Sequence, residues 1–212
     1  MNGSERRDGP VIGIDFDNTI AAYDAVFHTA AVQRGLITNS TAVAKTSIRD
    51  AIRQRSAGEL DWQRLQAEVY GPRMPQAHLL DGVLPFLHSC RSRSWPVYVV
   101  SHKTQFARRD ESGTDLRQAA LVWMQSQKLF DVESTGLGPE RVFFEDTRPA
   151  KVDRIRQLAC THFIDDLEEV FLEEGFPRGV TGILLTQQTE TTSSEVRPAL
   201  DWAAVARVVF DA

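Results

Sequence analysis

Cysteine pairs, histidine clusters, long apolar runs and an excess of positive charge are all missing from this sequence, and each absence narrows its function. The two cysteines, Cys90 and Cys160, stand far apart with no metal-ligand spacing around them. That argues against a zinc site or a disulfide-stapled scaffold and for reduced thiols in or near a core. His28, His78, His88 and His162 form no ligand cluster. No apolar run approaches the ~18 residues of a membrane span. The opening residues, MNGSERRDGP, lack the apolar segment of a secretory signal, so residues 1–10 read as a disordered lead and the expected compartment is the cytoplasm. With 24 Lys and Arg against 29 Asp and Glu, the net charge is -5. A protein that grips nucleic-acid polymers normally carries a basic face, so that class is disfavoured. Internal repeats are absent too.

What is present begins with Val11-Ile12-Gly13-Ile14-Asp15-Phe16-Asp17-Asn18-Thr19. The apolar run reads as a buried parallel strand, covered on both faces. It ends in two carboxylates spaced i, i+2, which strand periodicity puts on one side. Such carboxylates repel each other and are costly to desolvate unless a cation or a shared proton compensates. A hard, oxygen-seeking ion such as Mg²⁺ suits them. The plainer alternative is that these aspartates cap a turn or a helix.

Residues 22–78 read as a small helical insertion. One helix carries Ala25 to Leu36 with Gly35 near its end, Thr41 can N-cap a second running to Ile52, and a third spans Glu59 to Val69 before Gly71-Pro72. Arg73, on the return to the core, could present a guanidinium to an anionic substrate or lie at the surface. Residues 11–21 and 79–212 form the rest of the expected domain. Its elements alternate: a helix around Val83 to Leu87, a strand over 96–100, a helix from Asp115 to Gln127, a strand over 141–144, a helix holding Lys151, strands over 161–164 and 180–185, and a last helix over 202–210. The loop with Arg108-Arg109 and the tract 187–195 read as polar connections, the second as mobile.

Four of these strands end in polar residues: Asp15/Asp17, Ser101 followed by His102-Lys103-Thr104, Glu145/Asp146, and Asp165/Asp166. Parallel strands bring such ends to one edge of a sheet. Lys151 lies in the first turn of its helix, where a cation opposes the helix dipole, which points to an anionic partner nearby. Together the set is complete for phosphoryl transfer through a covalent carboxyl phosphate. One carboxylate attacks, a second handles the proton, a divalent cation neutralises the acids, and Lys with a hydroxyl holds the phosphoryl oxygens.

The order of these motifs resembles that of haloacid dehalogenase (HAD)-superfamily phosphohydrolases over most of residues 11–186: Asp15-Phe16-Asp17-Asn18-Thr19, then Ser101, then Lys151, then Asp165-Asp166. The resemblance implies an α/β fold, a doubly wound Rossmann-like parallel sheet, with residues 22–78 as a helical cap. It implies Asp15 as nucleophile and Asp17 as general acid/base. It places Mg²⁺ on Asp15, Asp17 (through its backbone carbonyl), Asp166 and Asp165, the last directly or through water. Ser101 and Lys151 would hold the phosphoryl group, and Asn18, Thr19, His102 and Arg73 complete the candidate phosphate and substrate set. Dehalogenases of the superfamily lack the second aspartate, so Asp17 favours phosphate chemistry. The acidic pair Glu145/Asp146 has no counterpart role, and the plain Asp165-Asp166 leaves the ligating member open. The function expected is a Mg²⁺-dependent phosphomonoesterase acting on a small metabolite such as a sugar phosphate or nucleotide. The chain is expected to be a monomer or homodimer, without nucleic-acid or membrane partners. A phosphomutase using the same intermediate, or a binding module that keeps the fold, are the alternatives.

Overall fold

The strand that carries the first two aspartates, β1 (Ile12–Ile14), lies in the middle of a six-stranded, wholly parallel sheet. The computed structural model describes residues 9–107, 113–188, 191, 193 and 195–211. The Arg108-Arg109 pair, most of the lead and part of the tract over 187–195 lie outside the described residues.

In chain order, β1 is followed by β2 (Ala21–Ala22), α1 (Asp24–Gln33), α2 (Lys45–Arg53), α3 (Gly58–Tyr70), β3 (His78–Leu79), α4 (Val83–Ser92), β4 (Val97–His102) and α5 (Leu116–Ser126). Next come α6 (Val132–Thr135), β5 (Val142–Glu145), α7 (Arg148–Gln157), β6 (His162–Asp165), α8 (Glu168–Phe171), β7 (Thr181–Leu185), β8 (Val196–Ala199) and α9 (Trp202–Phe210). The sheet order is β5-β4-β1-β6-β7-β8. The two β1 neighbours are set by Ile14 opposite Val99 on one side and Ile164 on the other.

Because successive strand residues face opposite ways, the sheet has two cores. Ile12, Ile14, Val97, Val99, Ile164 and Ile183 pack with α4, α5, α9 and the insertion; Val11, Val100, Phe163 and Leu184 pack with α7 and α8. Gly13 is required where β1 meets β6, since a Cβ there would lie 2.5 Å from the Phe163 ring.

The helices α1 to α3 leave and rejoin the core through β2 and β3, which pair antiparallel as Ala21 with Leu79. Those two-residue strands carry too little periodicity to be read from sequence. Helix α2 begins at Lys45 with extended Ala44 as its cap. Thr41 therefore does not cap it: the Thr41 carbonyl accepts a hydrogen bond from the His28 ring. On α5 Val122 is exposed and Trp123 turns inward, donating its indole N–H to the Ala77 carbonyl at 3.1 Å. Strand β8, Val-Arg-Pro-Ala, was not expected, because Pro and Arg erase the strand pattern; an edge strand tolerates both.

Cys90 and Cys160 are separate buried thiols, which burial pushes up to about 12. No helix among the described residues is long and apolar enough to cross a membrane.

Candidate active site

The carboxyl edge of the sheet gathers the acidic residues as parallel strands require. The Asp15 N–H donates to the Ile164 carbonyl at 2.8 Å, so the β1 ladder runs on one residue and fixes where the Asp15 side chain starts. Asn18 then turns the chain, at φ 57°, a left-handed conformation that Asn tolerates better than most residues. Its N–H donates to the Ala21 carbonyl at 2.8 Å. Thr19 is fully buried and its carbonyl accepts the Trp202 indole N–H at 2.9 Å. The Thr19 hydroxyl has no hydrogen-bond partner among the described residues.

Lys151 reaches the same edge from α7. The Thr147 hydroxyl caps that helix by accepting the Ala150 N–H at 3.2 Å, and Pro149 sits in the first turn. The Lys151 ammonium, 1 % exposed, donates to Asp15 Oδ1 at 2.5 Å and to Asp165 Oδ2 at 2.6 Å. These are the anionic partners that its place against the helix dipole implied. Burial works against the ammonium, yet Asp15 and Asp165 overcome it and hold Lys151 above its ordinary value. Burial pushes the Asp15 carboxyl up to about 7; Lys151 opposes the shift, while Asp165 and Asp17 add to it.

Asp15, Asp165 and Asp166 bring one carboxylate oxygen each within 4.8 Å of one another. The donors are hard oxygens, the chemistry a divalent cation of the Mg²⁺ type takes. Within the trio the two neighbours differ. Asp165 has one oxygen on Lys151 and accepts the Leu167 N–H with the other at 3.0 Å. The Asp166 carboxylate accepts no hydrogen bond among the described residues, and burial, then Asp165 and Asp15, hold it well above its usual range. Asp166, half-buried and without donors, is therefore the member of the trio whose charge is least compensated.

Asp17, expected to ligate through its backbone carbonyl, has its carboxylate engaged separately. Both of its oxygens accept from Lys103 Nζ, at 3.0 and 2.9 Å. Lys103 is 4 % exposed, and it is the principal site residue not singled out from the sequence. The signal was there: Ser101 and Lys103 are buried while His102 between them is exposed, the alternation of a strand that runs on through His102.

The insertion supplies a further layer. Lys45, the first residue of α2, places its ammonium 5.5 Å from the centre of the Tyr70 ring and faces Asp17 and Asp166; burial opposes its charge, but Tyr70 and these acids hold it above its ordinary value. Burial likewise raises Tyr70 to about 12. Tyr23 donates its hydroxyl to Met74 Sδ at 3.1 Å and faces Asp17. Phe27 and Trp62 stack on each other in the insertion core.

Ser101 is buried within β4, beside β1, because the strand runs on past the expected end at residue 100. His102 and Arg73 are not brought to the cluster. The His102 ring donates from Nε2 to the Asp146 carbonyl at 3.0 Å, because strand alternation turns it outward. The Arg73 guanidinium is held by the Glu68 carboxylate and by Gln33 Oε1 at 2.8 Å, within the insertion. The acidic pair left without a role is occupied too: Glu145 accepts from Arg154 at 2.7 Å and Asp146 from Arg117 at 2.6 Å. A groove of about 500 Å³ lined by Arg91, Arg93, Trp95, Tyr98 and Arg141 lies at the other end of the strands and holds none of the site carboxylates.

This is the architecture of an α/β protein whose site sits at the carboxyl ends of parallel strands. The chain has the fold of the HAD superfamily of hydrolases. A HAD family hydrolase from Deinococcus radiodurans, solved with bound phosphate and sodium, superposes with a TM-score of 0.55 at 13% identity, covering 96% of each chain. Protein Tyrosine Kinase A of Mycobacterium tuberculosis superposes with a TM-score of 0.59 at 13% identity, over 96% of this chain and 99% of that one. A dehalogenase solved as an intermediate complex gives 0.54 at 9% identity, over 95% and 97%. At these identities the likeness is one of fold. No family model matches the sequence, and no curated protein does.

Proposed function

We propose that this protein is a Mg²⁺-dependent phosphomonoesterase that forms a covalent phosphoryl intermediate on Asp15. The observation that carries the reading is the trio Asp15, Asp165 and Asp166 with Lys151 bonded between two of its members, beside a second carboxylate, Asp17. Asp15 Oδ1 is engaged by Lys151, which leaves the other oxygen as nucleophile. That oxygen bonds to phosphorus as the ester bond to the leaving oxygen breaks, and Asp17 supplies the proton the leaving oxygen needs. Asp17 then takes a proton from water, whose oxygen attacks phosphorus and releases phosphate, restoring the Asp15 carboxylate. Lys151 and Ser101 hold the phosphoryl oxygens.

The residues that would hold the cation are Asp15, Asp166 and, directly or through water, Asp165, with the Asp17 carbonyl. When bound, Mg²⁺ supplies charge neutralisation for the acids and the transferring group. Asp17 supports phosphate ester hydrolysis over dehalogenation, which needs no acid to protonate an oxygen leaving group.

The substrate class is a small soluble phosphate ester, because α1 to α3 and the Tyr70 and Lys45 side chains stand over the carboxylates. A cytoplasmic location fits the two buried thiols. The protein is proposed to act as a monomer or homodimer, with no nucleic-acid polymer or membrane partner.

The test is phosphate release from a panel of sugar phosphates and nucleotides, with Mg²⁺ or with chelator, for the native protein and Asp15→Asn. Release should require both, and Asp15→Asn should lower kcat by about 10³-fold or more while the protein stays folded. Release that persists in Asp15→Asn, or none from any ester by native protein, removes the reading. Exchange of phosphoryl groups between substrate positions without net release would instead identify a mutase.

A further inference from the structure

We propose that Lys103 is a positioning residue: it aims the Asp17 carboxylate at the leaving-group oxygen. The inference rests on the reading of Asp17 as the acid and base of phosphate ester hydrolysis. Its own foundation is geometric. A single ammonium contacts both Asp17 oxygens, at 3.0 and 2.9 Å. Two contacts from one point fix both side-chain torsions of an aspartate, where a single hydrogen bond would leave the carboxylate free to turn.

The main chain that carries this ammonium is itself anchored. The Lys103 N–H donates to the Glu145 carbonyl at 3.0 Å, and its carbonyl accepts from Arg117 Nε at 2.9 Å; Arg117 is tied in turn to Asp146. This gives the unassigned pair Glu145/Asp146 a purpose: the Glu145 carbonyl directly, and the Asp146 carboxylate through Arg117, anchor the main chain of the lysine that orients Asp17. The Lys103 Nζ lies 5.6 Å from the centre of the Phe16 ring and 4.8 Å from that of Tyr70, the last residue of α3. Core and insertion therefore both confine it.

Exposure points the same way. The Lys103 side chain is 3% exposed and that of Asp17 20%, so the lysine holds the carboxylate without covering all of it. Lys151 cannot substitute, because its hydrogen bonds go to Asp15 and Asp165.

The inference separates Lys103 from a residue that merely neutralises charge or binds phosphate, because only a misaimed acid is sensitive to how badly the leaving oxygen needs a proton. The experiment compares p-nitrophenyl phosphate, whose leaving group departs without one, with phenyl phosphate of nearly the same shape. Lys103→Met should lower kcat on phenyl phosphate by about 10²-fold, the scale of lost general acid catalysis. The loss on p-nitrophenyl phosphate should be about tenfold smaller, and KM should stay within about twofold on both. Lys103→Arg, which keeps the buried charge and the fold, should show the same leaving-group preference at reduced size. The double variant Asp17→Asn/Lys103→Met should be no slower than Asp17→Asn alone, since both act through one group.

Equal losses on the two esters at Lys103, or additive losses in the double variant, while Asp17→Asn discriminates between leaving groups, would overturn the positioning role and leave the hydrolase reading intact. If Asp17→Asn fails to discriminate, the acid role of Asp17 falls and the inference falls with it. Absence of native activity on both aryl esters and on every sugar phosphate and nucleotide of the panel removes the hydrolase reading itself.

Discussion

The carboxyl edge of the sheet and the helical insertion above it handle charge differently. At the sheet edge, three of the four aspartates have an ammonium at hydrogen-bond distance: Asp15 and Asp165 share Lys151, and Asp17 has Lys103. Both lysines are nearly inaccessible and come from core elements, α7 and the end of β4. The insertion instead offers Lys45 and Tyr70, packed against each other and facing Asp17 and Asp166. Fixed ion pairs on a rigid frame are preorganised for chemistry. Groups on the insertion are placed to respond to what enters.

The largest effect should come from breaking the sheet-edge pairing at its centre. Lys151→Met leaves Asp15 and Asp165 buried without their shared cation, and removing one partner of a buried pair typically costs about 3–5 kcal/mol. Urea unfolding at neutral pH should show a loss of that order, with the midpoint moving at constant slope. Adding Asp165→Asn to the variant should recover part of it, because one of the two orphaned charges is gone. A loss below about 1 kcal/mol would mean that the edge is open to water and not preorganised.

Next in size is the response to pH and metal, which tests whether the remaining negative charge waits for a cation. The Asp15 carboxyl is raised from 3.8 to about 7, and burial with like charges raises Asp166 in the same direction. The groups facing Asp15 are Lys151, Asp165 and Asp17. An unfolded chain releases the Asp15 proton near 3.8, whereas the folded protein keeps it to about 7. The contribution to stability is therefore complete below the first value and is lost as pH rises through the second. Metal-free protein should show a falling Tm across that window. Mg²⁺ binds the ionised trio, so it should raise Tm mainly on the alkaline side. Equal stabilisation on both sides would place the cation somewhere other than these carboxylates.

How far this edge was legible in the sequence follows from the physics of each element. Buried parallel strands that stop at acids announce themselves, so Asp15, Asp17, Asp165 and Asp166 were visible, as was Lys151 from its awkward place in a helix. Ser101 followed from a strand that ended too early in the reading. Extending that strand to His102 is what brings Lys103 inward and turns His102 out, and only pairing with β5 extends it. Lys45 was hidden because Thr41 looked like a better helix start than extended Ala44. Strand β8 was hidden by Pro198 and Arg197, which only its edge position permits. Sequence periodicity reports burial; it does not report which of two charged neighbours a side chain will choose.

Arg73 is the case where that choice decides function, and it should give the smallest effect. A turn beside Gly71-Pro72 looked suited to presenting a guanidinium to an anion. The structure gives that guanidinium to Glu68, which also receives Arg34, and to Gln33. Its side chain is 21% exposed and its partners all belong to the insertion. Partly exposed pairs of this kind contribute about 0–1 kcal/mol. Arg73→Ala should therefore lower stability by no more than that in urea unfolding and leave kcat/KM within about twofold. A tenfold rise in KM, equivalent to about 1.4 kcal/mol of lost binding, would mean that Arg73 exchanges Glu68 for the substrate when the insertion closes. In that event the insertion would carry part of phosphate recognition, and the sheet edge would not be complete on its own.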